Sequence, residues 1–339
     1  MNGRILLSIC IPSYNRPEEI YRLLQSIDIQ ESDKIEIVIC EDHAPKREAV
    51  RDRVQLFKEQ SRYSVLYIEN TANMGYDKNL RECIRNAGGR WVMFMGDDDV
   101  IIPETMDKYM KFLEENDDLG YVLRSYRTIH DDGSTEQFKY YEDTCFFPAG
   151  MKTYVELFRK SVFVSGFTFK REYALENMTD RFDGSLLYQL YIMAEICMKH
   201  PAAYYGIPIT QSVDGGYPYF GTSETEKELY TPGYATVENS VNFMKKFFVI
   251  TDFMDQKYDI HSTECVKKDI SKYAYPVLSI QRKRGRKEFA GYHQRLKELG
   301  IAGTLYYHLY YWGLYLLNER MCDKIIRSIK RILGKTPKL

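Results

Sequence analysis

Three consecutive aspartates, Asp97, Asp98 and Asp99, are the strongest chemical signal in this sequence. They follow the apolar run WVMFM after one glycine, and because that run predicts a buried strand, we expect them at an edge of a sheet. Neighbouring carboxylates repel one another at neutral pH, and a divalent cation would relieve that cost. Oxygen ligands suit Mg2+ or Mn2+, which proteins often hold between one or two carboxylates and a substrate diphosphate. The alternative is a solvated turn before a helix that starts near Pro103.

Candidate binding residues also follow two other apolar runs. Pro12, Tyr14 and Arg16 come after the first run, and Asp42 comes after the second. In open α/β sheets, ligands bind outside the carboxyl ends of the strands, so residues at these positions are binding candidates. They and the aspartates are predicted to meet at one edge. Asp42 taken alone fits a turn or a helix cap as well as it fits a functional role.

The spacing of apolar residues predicts the elements that position these side chains. Ile20, Leu23, Leu24 and Ile27 have helical spacing, and they lie between two apolar runs that lack the alternation of a half-exposed strand. The pattern is typical of a βαβ unit and predicts a mostly parallel sheet with helices on both faces. The predicted strands cover residues 5–11, 35–40, 64–69 and 91–95, and the predicted helices cover residues 18–27 and 77–86.

The composition narrows the class of protein. The chain has 339 residues, 44% of them hydrophobic and 28% charged, which excludes collagen-like and wholly disordered chains. This length suggests about two domains. The net charge of -1 argues against a general polyanion-binding protein, so no nucleic-acid partner is expected. Seven scattered cysteines without a CxxC pair argue against a disulfide scaffold or a structural zinc site and favour a reducing compartment.

Four segments form an ordered set of motifs in the first third of the chain. They are SICIPSYNRP at the first strand, IVICED at the second, NMGYDKNLRECIRNAGG before the fourth and WVMFMGDDDVIIPE at the aspartate run. Together these segments resemble the family-2 inverting glycosyltransferases of the bacterial O-antigen or capsular polysaccharide type. The resemblance is strong over about residues 5–115, weaker to about residue 215 and not recognisable beyond. It implies the nucleotide-diphospho-sugar transferase fold called GT-A.

The resemblance also implies a role for each matching residue. Asp42 would accept a hydrogen bond from the imide of the base, which favours uracil or thymine. Asp98 would be the more direct metal ligand, with Asp97 near the ribose or the metal and Asp99 beside the sugar. Gly96 departs from the pattern, because many family members carry an aspartate there. The other residues implied to border the nucleotide or the sugar are Pro12, Tyr14, Arg16, Asn73, Gly75 and Asn79.

The implied reaction needs a metal ion and a general base. A bound Mn2+ or Mg2+ would stabilise the charge on the departing nucleoside diphosphate. A carboxylate would take the proton of the acceptor hydroxyl as that hydroxyl attacks the opposite face of the sugar. In the family this base is often an aspartate of an acidic pair at the start of a helix, here predicted over residues 186–198, and the pair is absent. Asp183 is the candidate nearest to that position and equally fits a helix cap, while Glu195 and Asp214 are its rivals.

A catalytic domain is predicted over residues 1–215, divided into a nucleotide-sugar half at 1–115 and an acceptor half at 116–215. The remaining residues, 216–339, show helical patterning without a recognisable motif and are predicted to form a helical C-terminal extension.

The C-terminal segment predicts contact with a membrane surface. Residues 305–317 combine tyrosines and Trp312 with leucines, a mixture typical of the boundary between bilayer and water. Downstream, basic residues such as Arg320 and Lys324 share one helical stripe and isoleucines share another. No run reaches roughly 18 uninterrupted apolar residues, and the N-terminal run meets Pro12 too soon for a signal peptide. We therefore expect a cytoplasmic protein on the inner face of the cell membrane. The alternative is a helix packed on the catalytic domain or on a dimer partner, which leaves a homo-oligomer open.

These inferences lead to two functional hypotheses from different classes. The first is a metal-dependent glycosyltransferase of the hexosyltransferase type, moving a sugar from a UDP or TDP donor to a lipid-linked glycan in surface polysaccharide assembly. The second is a non-catalytic scaffold subunit with the same fold, suggested by Gly96 and by the missing acidic pair. A nucleotidyltransferase or a dinucleotide oxidoreductase is disfavoured, because no glycine-rich phosphate-binding loop follows the first strand.

Overall fold

The chain divides into two compact units, Met1–Glu228 and Leu229–Leu339. The boundary predicted at residue 215 lies within the first of them. No helix in the described part of the chain is both long enough and apolar enough to cross a membrane. The computed structural model describes residues 5–130, 133–213 and 218–333.

A ten-stranded sheet forms the centre of the first unit. Several of its strands are apolar on both faces, because the sheet is covered on both sides. The strands are β1 (Leu7–Ser13), β2 (Ile35–Glu41), β3 (Ser64–Glu69), β4 (Trp91–Phe94), β5 (Val100–Ile101), β6 (Tyr121–Ile129), β7 (Thr135–Phe138), β8 (Cys145–Phe147), β9 (Phe167–Lys170) and β10 (Ala202–Val213).

The sheet has a parallel half and a mixed half. Its strands lie in the order β3-β2-β1-β4-β9-β6-β10-β5, with β7 beside β6 and β8 beside β10. The neighbours from β3 to β4 are all parallel, as the βαβ pattern predicts. Beyond them, β9 runs antiparallel to both β4 and β6, while β6 is parallel to β10. The carboxyl ends of β1, β2 and β4 therefore meet at one edge.

Helices complete both units, and their buried faces follow from the sequence. Pro17 occupies the first turn of α1, where its missing N–H costs nothing, and Ile20, Leu23 and Leu24 form the buried face of that helix. The first unit contains α1 (Pro17–Gln25), α2 (Arg47–Gln60), α3 (Tyr76–Asn86), α4 (Met106–Glu115), α5 (Met151–Phe158), α6 (Arg171–Glu176) and α7 (Tyr188–Lys199). The second contains α8 (Val237–Tyr258), α9 (Ser262–Lys272), α10 (Tyr275–Arg282), α11 (Arg286–Glu298), α12 (Leu305–Leu317) and α13 (Glu319–Leu333).

Two predicted elements differ from the structure for local reasons. The apolar run at 163–169 also predicts a strand, but the strand begins at Phe167, because Val164–Gly166 forms a turn of 3-10 helix. The helix predicted over 186–198 begins at Tyr188 instead. Gly184 and Leu186 have φ angles of 73° and 62°, and residues in this left-handed region cannot continue a right-handed helix.

Helix α12 shows how the aromatic C-terminal segment is used within the second unit. Tyr307, Tyr311 and Leu314 are buried, so part of the aromatic cluster predicted to face a membrane belongs to the core of this unit. The opposite side of the same helix leaves large apolar side chains in solvent. These exposed residues, which we call the α12 apolar face, are Leu305, Leu309, Trp312 and Leu316.

The parallel half of the sheet carries a direct test of the core. Ile37 is fully buried in β2, so replacing it with alanine removes packing atoms and leaves a cavity. We expect Ile37→Ala to lower the free energy of unfolding by about 2–5 kcal/mol in urea titrations. Leu66→Ala on the neighbouring strand β3, where the side chain is 41% exposed, is the matched control and should cost far less. Equal losses for the two variants would contradict this packing.

Candidate active site

The site lies at the edge where β1, β2 and β4 end. In the parallel register, Pro12 pairs with Cys40 and Ser13 with Glu41, so the loop after β1 emerges beside Asp42. Cys10 of β1 pairs with Phe94 at the end of β4, which brings the aspartate run to the other side of the same loop. The edge thus collects the three polar segments that the sequence analysis placed after separate strands.

Asp42 organises the loop before α3. Its Oδ1 accepts hydrogen bonds from Asn70 Nδ2 at 2.8 Å and from the Met74 N–H at 2.9 Å, and its Oδ2 accepts one from the Gly75 N–H at 2.8 Å. A carboxylate offers about four acceptor positions, so about one remains for a ligand donor. Burial raises the pKa of Asp42, and the bonds from Met74 and Asn70 oppose that shift. Asp42 is therefore a residue that holds the loop before α3 and has about one acceptor position left.

Asn79 supports this arrangement from below. Its Nδ2 donates to the Cys40 carbonyl at the end of β2 at 2.9 Å, and its Oδ1 accepts from Asn70 Nδ2 at 3.0 Å. Asn79 is nearly fully buried. Its contacts tie α3 to β2 and position Asp42 through Asn70, so the structure places it behind the residues that border the site. Asn70 has no motif of its own, and the sequence analysis missed it.

Arg16 compensates the charge of two of the three aspartates. Its Nη1 donates to Asp97 Oδ1 at 2.7 Å, and its Nη2 lies 3.0 Å from Asp98 Oδ2. The Tyr14 N–H donates to the other oxygen of Asp97 at 3.0 Å. Burial raises the pKa of Asp97 to about 6, although the Arg16 charge lowers it. The aspartate run thus has a basic partner from the loop after β1, and the solvated-turn alternative fails because Asp97 and Asp99 are buried.

Asp99 has a different hydrogen-bond partner, Ser165. Ser165 Oγ donates to its carboxylate, and the same Oγ accepts a hydrogen bond from the Gly96 N–H at 2.7 Å. Burial, followed by the Asp98 charge, raises the pKa of Asp99 to about 8. The buried Arg124 holds the Ser165 carbonyl at 2.7 Å and so fixes this contact. Neither Ser165 nor Arg124 carries a sequence signal that links it to the aspartates.

The residues at this edge fit a divalent ion that is shared with a substrate. No three His, Cys, Asp or Glu side chains among the described residues are grouped so as to hold a metal by themselves. Asp98 is the aspartate of the run that reaches solvent, with a side chain 29% exposed. One exposed carboxylate suits Mg2+ or Mn2+, because these ions take their remaining ligands from substrate phosphates and water. The fit therefore depends on a bound diphosphate.

A segment far along the chain covers the donor-side loops. The Tyr219 ring lies edge-on to Tyr14, with centroids 5.6 Å apart, and 5.2 Å from the Arg16 guanidinium carbon. Asn73 Nδ2 donates to the Tyr14 hydroxyl at 3.3 Å and to Thr222 Oγ1 at 3.2 Å. These contacts come from residues beyond Asp214, which the sequence indicated as a candidate base.

Gly75 is required by the packing of this segment. Its φ of +90° is unfavourable for other residues, and a Cβ there would lie 2.5 Å from Ser223 Oγ. Glu226, which is buried, accepts hydrogen bonds from the Tyr76 and Gly221 N–H groups, both at 2.8 Å. The end of the segment is thereby fixed to the start of α3. Gly75 acts through its backbone, since it has no side chain to offer a ligand.

The candidate bases have different surroundings. Asp183 pairs through both oxygens with Arg81, and Lys78 Nζ lies 3.8 Å from its Oδ2. Glu195 is fully buried within α7, with Lys199 Nζ 3.5 Å from its Oε2. Asp214 lies outside the described residues. The N-cap of α7 is Leu187, so Asp183 is not the helix cap that the sequence allowed. Its carboxylate is paired with Arg81 instead.

Asp77 connects the start of α3 to the loop that carries Asp183. Its carboxylate accepts hydrogen bonds from the Leu186 N–H at 2.9 Å and from the Tyr188 N–H at 3.0 Å. The Ser185 hydroxyl lies 3.4 Å from both of its oxygens. Burial raises the pKa of Asp77 to about 7, against the effect of these N–H donors. This buried carboxylate, which the sequence analysis did not single out, holds residues 185–188 against α3.

Comparison with known proteins supplies the family. Residues 8–176, about half of the chain, match the profile described as glycosyl transferase family 2. The chain belongs to this family. The family 2 match covers all the predicted donor-side residues and ends before Asp183, so the proposed base lies outside it.

Two curated relatives align with part of the chain. Abequosyltransferase RfbV of Salmonella typhimurium is 27% identical over 115 residues, 34% of this chain and 34% of the relative. The putative teichuronic acid biosynthesis glycosyltransferase TuaG of Bacillus subtilis is 25% identical over 134 residues, 39% of this chain and 51% of the relative. The chain thus spans between a third and a half of the length of these family 2 relatives.

A solved structure confirms the fold over nearly the whole chain. The crystal structure of S. aureus TarS 1-349 in complex with UDP-GlcNAc has a TM-score of 0.58 and covers 98% of this chain and 93% of that one. Its sequence identity is 13%, so the likeness concerns the fold. The predicted GT-A fold, with a mixed α/β sheet, flanking helices and a helical C-terminal region, is confirmed.

The environment of Asp77 leads to a pH-dependent prediction. The folded protein binds this proton more tightly than the unfolded chain between the ordinary pKa of 3.8 and the folded value of about 7. Its contribution to the free energy of unfolding is therefore lost as pH rises through that window and is constant above it. Asp77→Asn cannot titrate, so the difference in stability between wild type and variant should shift in favour of the variant from pH 5 to pH 8. Urea titrations at each pH measure it, and parallel curves for the two proteins would refute the assignment.

Proposed function

We propose that this protein transfers a sugar from a nucleotide diphosphate donor of the UDP or TDP type to a hydroxyl of a glycan acceptor, with inversion. The observation that carries the proposal is the convergence of the Asp42 loop and the Asp97–Asp99 run at one strand edge of a family 2 domain. The complex of TarS with UDP-GlcNAc supports a UDP-linked donor, since TarS shares the fold.

Each donor-side residue has a task in this proposal. Asp42 accepts the imide N–H of the base with the acceptor position that its loop contacts leave open. Asp98 holds Mn2+ or Mg2+, and such an ion, when bound, stabilises the charge of the departing diphosphate. Arg16 keeps Asp97 in place and adds positive charge near the diphosphate. Asp99 lies beside the sugar. Pro12, Tyr14, Asn73 and Gly75 border the nucleotide, and Asn79 positions Asp42 through Asn70.

Asp183 is the proposed general base. Its carboxylate is partly exposed and lies in a loop that Asp77 holds against the start of α3. The loop that Asp42 holds ends at the same helix start. The Arg81 ion pair fixes the orientation of the carboxylate, which favours an in-line approach of the acceptor hydroxyl. Glu195 is the weaker candidate, because its side chain is fully buried.

The setting is proposed to be surface polysaccharide assembly, of the O-antigen or capsule type, with a lipid-linked acceptor at the inner face of the cell membrane. The sugar-transfer and teichuronic acid names of two relatives support this setting. The α12 apolar face supports membrane contact, because solvent-exposed leucines and a tryptophan on one helical side are typical of interfacial helices. Arg320 and Lys324 of α13, both exposed, would add attraction to anionic lipid.

The metal role of Asp98 is tested by ligand-dependent stability. UDP with Mn2+ should raise the melting temperature of the wild-type protein, because binding to the native state stabilises it. Asp98→Asn should lose most of this shift, whereas Asp118→Asn, which removes an exposed carboxylate elsewhere, should keep it. An unchanged Mn2+-dependent shift in Asp98→Asn would remove its metal role. The absence of a shift with every nucleotide diphosphate would favour the scaffold hypothesis.

The base is tested by separating binding from turnover. Asp183→Asn should bind UDP and Mn2+ like wild type, while nucleoside diphosphate release from the donor sugar falls by about 100-fold or more. The nucleotide sugar with the largest thermal shift serves as the substrate, and Glu195→Gln is measured in parallel. Normal turnover in a folded Asp183→Asn variant would transfer the role to Glu195 or Asp214.

Membrane contact is tested by flotation with vesicles of phosphatidylcholine containing one third phosphatidylglycerol. Leu309→Ser/Trp312→Ser should reduce the bound fraction several-fold, because both side chains leave the α12 apolar face. Val249→Ser/Ile280→Ser removes two other exposed apolar side chains of the same unit and is the matched control. If both double variants float like wild type, the α12 face is not the membrane contact.

A further inference from the structure

A polar crevice beside α3 is not occupied by the donor-side loops. Its volume is about 510 Å3, within the range of small-molecule sites in proteins. We call it the α3 crevice. Its polar lining consists of Lys78, Arg81, Arg85, Thr179, Asp180 and Asp183.

The three basic residues of the α3 crevice lie on one side of the helix. Arg81 and Arg85 follow Lys78 by three and seven residues, which places the three side chains in one row along α3. Helix positions hold them on a rigid element, and rigid elements keep charged groups at fixed spacing. The basic side chains of the crevice wall are therefore held at fixed spacing by a helix and do not lie on a loop.

The three basic residues differ in their exposure and in the ion pairs that they form. Arg81 is almost buried and pairs with Asp183 through two hydrogen bonds, so these two charges compensate each other. Lys78 and Arg85 have side chains 39% and 51% exposed. Lys78 lies 3.8 Å from Asp183, and Arg85 pairs with Glu82 on the same helix. Ion pairs near the surface contribute little to stability. An anion in the crevice can therefore bind Lys78 and Arg85 in place of their present partners.

The chemistry of this lining selects a phosphate rather than a neutral sugar. Guanidinium and ammonium groups bind phosphate oxygens by charge-assisted hydrogen bonds, and arginine can do so with two bonds at once. Thr179 adds a hydroxyl to the same wall. Asp180 is the acidic group that a ligand anion must avoid, and it is exposed, so its charge can remain hydrated. A neutral hydroxyl compound would need neither of the two exposed cations.

We propose that the α3 crevice binds a phosphate group of the acceptor, held between Lys78 and Arg85. The proposal rests on the proposed function, because Asp183 lies in the same lining and would face a hydroxyl near that phosphate. The substrate class is a phosphate-bearing glycan acceptor, whose phosphate comes either from a lipid diphosphate or from a soluble phosphorylated glycan. Arg81 orients Asp183 and does not bind the phosphate in this proposal.

Calorimetric titration of the full chain with inorganic pyrophosphate, in EDTA, tests the site. Wild type should bind, and Lys78→Gln/Arg85→Gln should bind at least tenfold more weakly with an unchanged melting temperature. Lys108→Gln/Lys111→Gln removes the same charge from the exposed side of α4 and should bind like wild type. Equal binding by all three proteins, or no binding by wild type, would overturn the proposal.

Two further measurements separate the sources and the two proposals. Farnesyl diphosphate and glycerol 3-phosphate represent the lipid and the soluble source. The probe that binds more tightly, and loses that binding in Lys78→Gln/Arg85→Gln, identifies the source and supports the site. UDP binding with Mn2+ should be the same in this variant and in wild type. If wild type fails to bind UDP while pyrophosphate behaves as expected, the transferase proposal fails and the anion site stands.

Discussion

The parallel pairing of β1 with β2 on one side and with β4 on the other decides where the chemistry of this chain lies. Parallel strands place their carboxyl ends at the same edge, so three loops that are far apart in sequence emerge side by side. Arg16 follows β1 and Asp97 follows β4, and they meet at 2.7 Å because of this pairing. The apolar cores of these strands, buried on both faces, fix the register that the site depends on.

The second constraint is electrostatic. Asp77, Asp97 and Asp99 are all buried, and burial raises the pKa of each above its ordinary value. Buried carboxylates persist only where hydrogen bonds or opposite charges offset the loss of hydration. Backbone N–H groups donate hydrogen bonds to Asp77, Arg16 donates to Asp97, and the Ser165 hydroxyl donates to Asp99. A divalent cation would offset the negative charge of the carboxylates at the strand ends, and a diphosphate bound with it would be attracted to the cation.

Much of the fold could be predicted from the sequence, because its pattern is local. The strand at 64–69 has the predicted bounds, and the strands at β1, β2 and β4 shift by one or two residues. The contacts of the site are not local, and these were missed. Tyr219 meets Arg16 across about two hundred residues of sequence, and Arg124 of β6 reaches Ser165 of the turn before β9. Asp183 carries no local sign of its ion pair with Arg81, which depends on how α3 packs beside the loop.

We propose that a nucleoside diphosphate binds where β1, β2 and β4 end, with its base at Asp42 and its phosphates at Asp98. A crystal structure of the protein with UDP and Mn2+, with data collected at a wavelength where manganese scatters anomalously, tests it most directly. We expect an anomalous peak within coordination distance of an Asp98 oxygen and of the diphosphate, and the uracil imide within hydrogen-bonding distance of Asp42. UDP bound elsewhere, or a manganese peak remote from Asp98, would contradict it.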